Sequence, residues 1–232
     1  MAISERQLVV LEAMGIPVWR SRRASITESS DTSGQEWQRL EQEALACTKC
    51  ELHKCRTQVV FGVGNRQARW LVIGEAPGAE EDRQGEPFVG RAGQLLNEML
   101  QAVGLSRQQV YIANILKCRP PENRDPKPEE AATCEQYLQR QIALIQPRLI
   151  LTVGRIAAQN LLRDVTPIGK LRGRVHRYGP DGIPVVVTYH PAYLLRSPGQ
   201  KRKSWEDLCL AMATVDPRGN SGGNAVGGDV LQ

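Results

Sequence analysis

Cys47 and Cys50 form a tight C-x2-C turn, and Cys118 and Cys134 follow far downstream with fifteen residues between them. A redox dithiol of the thioredoxin kind would need only one such turn, set between a strand and a helix. A zinc ribbon would usually repeat the tight turn. One close pair plus two separated thiols suits the four irons of an iron–sulfur cubane, which spread their ligands more widely. Zinc remains open on spacing alone, as does plain burial of Cys118 and Cys134 as small hydrophobes. Cys55 and Cys209 have no partner at ligand spacing and read as structural, although Cys55 could compete with Cys50.

A second group of residues surrounds GEAPGAEEDRQGEPFVGRAG (74–93), which follows the apolar run WLVI. A glycine-rich turn after a strand usually cradles phosphate. This one carries five acids and lacks both the Lys-Ser or Lys-Thr ending of a P-loop and the G-x-G-x-x-G of a dinucleotide fold. A nucleotide-binding Rossmann-type protein is therefore disfavoured.

These residues need a scaffold, and four short apolar runs supply one: WLVIG (70–74), VYIAN (110–114), RLILTVG (148–154) and PVVVTYH (184–190). Helical patterns separate the first three, in AGQLLNEMLQAVG and PEEAATCEQYLQRQIALI, and another starts at RIAAQNLL. This alternation predicts an α/β fold: a three-layer αβα sandwich around a central, mainly parallel four-stranded sheet. Ligands of such sheets sit beyond the carboxyl ends of the strands. Glu75, Asn114, Gly154 and His190 stand at those four ends.

The 232 residues, 41% of them hydrophobic, provide one globular core. It is predicted over 37–215, behind a polar, Ser/Thr-rich, partly disordered N-terminal extension (1–36) and ahead of a disordered glycine-rich tail (216–232). Thirty Lys plus Arg against twenty-five Asp plus Glu give a net charge of +5, a mild bias toward polyanions. No run reaches the ~18 to 20 apolar residues of a membrane span. MAISERQLVV lacks the plan of a secretory signal, so a cytoplasmic protein is expected, where cysteines serve as ligands or core residues rather than disulfides.

GEAPGAEEDRQGEPFVGRAGQLL, NILKCRPPENRDP and TYHPAYLLR, in this order and with the four-cysteine spacing, resemble the family 4 uracil-DNA glycosylases, over about residues 40 to 212. The resemblance implies a monofunctional hydrolase of the αβα class, holding a 4Fe-4S cluster on Cys47, Cys50, Cys118 and Cys134. It implies excision of uracil from DNA to leave an abasic site, in base excision repair, by a monomer that could meet a sliding clamp or other repair proteins. A non-catalytic iron–sulfur or zinc nucleic-acid-binding module is the competing reading. NILKCRPP runs from Asn114 to Cys118 without the Arg-rich insertion through which one relative traps DNA covalently, so turnover is expected.

Site roles follow from the same resemblance. The target base must swing out of the duplex into a fitted pocket. Glu75, Ala76 and Pro77 would form one wall, and Phe88 would stack on the base, although a lone Phe can equally serve a core. Asn114 would accept from uracil N3–H and donate to O4, the reverse of what cytosine requires; capping a turn is its bland alternative. Glu81 would obstruct the thymine methyl group. His190 would donate to O2 as charge gathers on the leaving base, where an isolated strand-end His would do nothing. Glu75 would position or activate water, since Ala76 occupies the place where sister families carry Asp or Asn. Lys117, Arg119 and Arg196, with Lys201, Arg202 and Lys203, would meet phosphates, as would the amides after Gly154. Leu194 or Leu195 would wedge into the gap left by the base.

Overall fold

The computed structural model describes Met14 and residues 26–216. Contacts divide the chain between Glu36 and Trp37. The first helix among the described residues, α1 (Ile26–Leu45), begins inside the N-terminal extension expected to be partly disordered. Apart from Met14, the rest of the predicted extension lies outside the described residues, as does the tail beyond Asp216.

The sheet has six strands in the order β1-β3-β2-β4-β6-β5. The four apolar runs form β2 (Trp70–Gly74), β3 (Tyr111–Asn114), β4 (Leu149–Val153) and β6 (Ile183–Thr188), each pairing parallel with its neighbour. Two antiparallel edge strands, β1 (Val63–Gly64) and β5 (Val175–Tyr178), make the sheet mixed and wider than the four strands expected. Neither edge carries a readable signal. β1 is too short for any period, and VHRY alternates exposed and half-buried residues without an apolar face.

Successive side chains of a strand point to opposite faces, so each central strand feeds two cores. Leu71, Ile73, Tyr111 and Ala113 face α1, α4 (Pro128–Ile145) and α5 (Arg155–Leu162), through Trp37, Tyr137, Leu138 and Leu161. Trp70, Val72, Ile112 and Leu151 face α3 (Arg91–Ala102) and α8 (Lys201–Val215), through Leu96, Leu100, Leu208 and Ala211. In α3 the buried Leu96, Met99 and Leu100 recur at helical spacing, which is what turns one stripe of this helix to the sheet. Short helices α2 (Ala79–Gln84), α6 (Ile168–Leu171) and α7 (Pro191–Arg196) complete the α-helices of the described residues. Among the described residues no helix is long and apolar enough to cross a membrane.

α4 shows how sequence sets a boundary. Pro128 occupies the first helical position, where its missing N–H costs nothing. The Glu130 carboxylate reaches back to the Lys127 amide at 2.9 Å. The helix stops where Gln146 turns left-handed. This start and stop carry Cys134 to the helix's buried side.

Candidate functional site

At the carboxyl ends of the parallel strands lies a cavity of about 490 Å3. Glu75, Ala76, Pro77, Glu81, Phe88, Asn114 and His190 all line it. Registry explains part of this convergence: Gly74 and Asn114 are direct partners across β2 and β3, so the loops leaving both strands open at one level. A Cβ on Gly74 would stand 2.4 Å from Asn114 Oδ1 and 2.6 Å from the Phe88 ring. Only a glycine lets the amide and the ring meet over this strand end. Asn114 is 2% exposed, and among the described residues its Oδ1 has no hydrogen-bond partner. A buried acceptor left bare is costly unless something else fills the position.

Phe88 is buried, and its ring centroid lies 5.7 Å from that of His190. His190 caps the start of α7: its Nδ1 accepts from the Ala192 amide at 3.1 Å. With Nδ1 used as an acceptor, the neutral ring carries its proton on Nε2. Burial, aided by the nearby Arg196 charge and opposed by Glu81, lowers the His190 pKa to about 4, so the ring is neutral at physiological pH. Gly154 rests against this ring, and its amide donates to Thr188 O.

Glu75 is half-buried at the end of β2. Desolvation raises its pKa to about 7; the Asp125 carboxylate adds to the rise and the Arg155 guanidinium opposes it. Asp125 and Arg155 are themselves paired at 2.7 Å. Glu81 lines the cavity, but its carboxylate is occupied by the amides of Gly78, Val89 and Gly90 at 3.0 to 3.2 Å. Its place in the site is thus a tie between α2 and the turn bearing Phe88.

Two expected DNA contacts lie elsewhere. Lys117 is 2% exposed, and its ammonium donates to Asn114 O at 3.0 Å and Gln141 Oε1 at 2.7 Å. Buried with both acceptors inside the core, it is out of reach of a phosphate. Leu194 is 1% exposed and belongs to the core against β4 and β6, so it is no wedge; its neighbour Leu195 is 38% exposed. Arg119 is half-buried and bonded to Asn123 Oδ1 at 2.8 Å, while Arg196, Lys201, Arg202 and Lys203 are exposed. Pro120, Asn123, Arg124 and Tyr193 also line the cavity, although sequence reasoning assigns them no role. A signal for them exists, since each lies inside or beside the motifs CRPPENRDP and YHPAYLLR.

Cys47, Cys50, Cys118 and Cys134 border a second, narrow cavity together with Tyr137 and Arg56. Arg56 Nη1 donates to Cys118 Sγ at 3.0 Å, and the Lys117 amide to Cys134 Sγ at 3.3 Å. Cys55 is exposed, and Cys209 lies away on α8. Among the described residues no group of three or more His, Cys, Asp or Glu is gathered around the position of a metal ion.

Residues 61–211 match the family model of the Uracil DNA glycosylase superfamily, and the chain belongs to that superfamily. Within it, the chain is similar to type-4 uracil-DNA glycosylases. One from Archaeoglobus fulgidus is 48% identical over 171 residues, covering 71% of this chain and 85% of the relative. Another, from Thermotoga maritima, is 44% identical over 176 residues, covering 75% and 91%. A type-5 uracil-DNA glycosylase from Thermus thermophilus is 33% identical over 153 residues, covering 56% and 68%.

Proposed function

We infer that this chain is a monofunctional uracil-DNA glycosylase of base excision repair, with its catalytic domain over 37–215. It adds water across the bond between deoxyribose C1′ and uracil N1, giving free uracil and an abasic site. The observation that carries the site assignment is the bare Oδ1 of Asn114, buried beside the Phe88 ring in the shared cavity. Uracil N3–H supplies the donor that this oxygen lacks, and Asn114 Nδ2 donates to O4. Cytosine presents an acceptor and a donor at the same two atoms and would leave both buried groups unpaired, at ~1 to 3 kcal/mol each. Phe88 stacks on the base without distinguishing one base from another.

Bond cleavage develops positive charge on the sugar and negative charge on the departing base. His190 meets the second through Nε2–H at uracil O2, as a neutral donor that need not lose or gain a proton. Glu75 receives the proton of the water that attacks C1′. A carboxyl with its pKa near 7 is matched to that task. Ala76 offers no polar group at the adjacent position, so the DNA's own phosphates stabilise the sugar cation alongside Glu75. Arg119, Arg196, Lys201, Arg202 and Lys203 hold the strand, with the amides after Gly154, and Leu195 fills the vacated stack.

Cys47, Cys50, Cys118 and Cys134 fit a 4Fe-4S cluster. A cubane takes one thiolate on each iron, and four thiols around one cavity, two of them receiving N–H donors, provide that donor set. A cluster held there would tie the turn after α1, which carries Cys47 and Cys50, to the loop after β3 and to α4, and would supply no electron to the hydrolysis.

The test is strand cleavage. The protein is incubated with a uracil-containing oligonucleotide and then treated with alkali, which breaks the backbone at an abasic site. Breaks confined to the uracil position are expected. An unbroken strand bound by the protein would leave the non-catalytic binding module. Iron and sulfide contents of about four each per chain are expected of the purified protein; one zinc and no iron would overturn the cluster.

A further inference from the structure

Phe88 carries its ring on a backbone that aromatic residues avoid. Its φ is 56°, in the left-handed region, and such a conformation persists only where the surroundings over-determine it. Three contacts do so. Glu81 Oε1 accepts from the Val89 and Gly90 amides at 3.0 and 3.1 Å. Gly93, in the first turn of α3, sits so close that a Cβ there would stand 1.8 Å from Phe88 O. Arg107, in the loop after α3, donates from Nη1 to Phe88 O at 3.2 Å and from Nη2 to Pro87 O.

We propose that Arg107 is a positioning residue for base excision: its guanidinium fork fixes the carbonyls of Pro87 and Phe88 and so aims the Phe88 ring into the base pocket. The inference rests on reading that pocket as the uracil site. Arg107 itself does not line the cavity. It acts nineteen and twenty residues along the chain from the carbonyls it holds. The Glu81 tie fixes the amides that follow the ring, whereas Arg107 fixes the carbonyls at and before it. Between them the peptide planes on both sides of Phe88 are set, which leaves the ring few directions to take. A stacking ring accelerates the reaction only when it waits in place, because otherwise binding energy must be spent ordering it. A lysine at 107 has no planar fork and would satisfy one carbonyl at a time.

The experiment is a double-mutant cycle on the full chain with its cofactor. Single-turnover uracil release and DNA affinity are measured for the wild type, Arg107→Ala, Phe88→Ala and the pair, after circular dichroism has shown each to be folded. Arg107→Ala is expected to slow release by about 10-fold, within the range one base–aromatic stack supplies, with DNA affinity unchanged. Millimolar guanidinium restores part of the loss, and Arg107→Lys falls between the two. In the Phe88→Ala background, removing Arg107 costs less than about two-fold more, since contacts acting through one group are not additive. Wild-type release by Arg107→Ala, or an equal further loss without the Phe88 ring, overturns the proposal. Should Arg107→Ala fail to fold, Arg107→Lys and Arg107→Gln carry the same cycle. A wild type that releases no uracil overturns the pocket reading itself, and is thereby distinguished from failure of Arg107 alone.

Discussion

Replacing Glu75 with glutamine separates the cost of this residue to the fold from its use in the reaction. A carboxyl whose pKa stands at about 7 in the folded chain, against 4.5 ordinarily, binds its proton more tightly folded than unfolded. Its contribution to stability is therefore full below about pH 4.5 and is lost as pH rises through about 7. Taken whole, that difference corresponds to about 3 kcal/mol. The side chain is only half-buried, so water screens it, and a loss of about 1 to 2 kcal/mol is expected. The glutamine amide has no proton to release, and the Asp125 charge that disfavours a carboxylate here does not disfavour an amide. Glu75→Gln should melt at the same temperature as the wild type near pH 4.5 and about 3 to 6 °C higher near pH 8, at the few degrees per kcal/mol usual for a chain of this size. Excision should move the opposite way. The wild-type single-turnover rate rises with pH and levels off above about 7 as Glu75 ionises, while Glu75→Gln is slower by about 10²-fold on that plateau and shows no inflection there. No second inflection from His190 is expected near neutrality, since its ring loses its proton at about pH 4. A variant that is both as active as the wild type and no more stable at pH 8 would refute this reasoning, because neither the buried charge nor its role as base would then exist.

Three further substitutions test the pocket and its surroundings. On the proposed reading, Asn114→Asp keeps the acceptor but removes the donor to uracil O4, and it places a charge in the buried site. Uracil release, measured by alkali cleavage, should fall by at least ~10- to 100-fold, the worth of one unpaired buried group. Gly74→Ala puts a methyl group 2.4 Å from Asn114 Oδ1 and 2.6 Å from the Phe88 ring. Overpacking of about 1 to 3 kcal/mol should appear as a lowered melting temperature, with excision lost more steeply than stability. Glu122 is exposed and left-handed, with φ at 56°, on the loop that carries Asn123 and Arg124 to the cavity. Glu122→Gly removes the side-chain penalty of that conformation and should raise stability by about 0.5 to 1 kcal/mol in chemical unfolding, with excision intact.

The parts of this chain that the sequence revealed are those whose physics is local. WLVIG, YIAN, LILTV and the run to Thr188 read as buried strands because each is almost wholly apolar, and a parallel sheet covered on both faces demands that. The residues following them had to reach one rim once the strands were parallel. Leu194 and Leu195 were separable in principle. On a helix starting at Pro191, the buried Pro191 and Leu194 are three apart and share a face, so Leu195 turns away. Lys117 was not separable. KCR reads as a basic surface triplet, and its burial depends on acceptors from Asn114 O and from Gln141, twenty-four residues further on.

The same distinction governs the pocket. On the proposed reading, residues that touch a base must offer particular atoms, so their types limit what they can be; Asn114 and His190 at strand ends and Phe88 in the loop between α2 and α3 are conspicuous. Residues that hold those side chains in place work on backbone atoms, which every residue has, and so leave no pattern at the position they act upon. Arg107 meets the carbonyls of Pro87 and Phe88, Glu81 the amides of Val89 and Gly90, and Lys117 the carbonyl of Asn114. Each supports the backbone of a pocket residue or its neighbour, and each stands where sequence alone suggests surface charge or a steric wall. Three charged groups directed at main-chain atoms around one cavity imply a site fixed before substrate arrives. If so, Asn114 and Phe88 should give the same side-chain NMR signals free and with an abasic-site product bound, apart from direct ring-current shifts; broadening in the free protein that product removes would mean instead that DNA assembles the pocket.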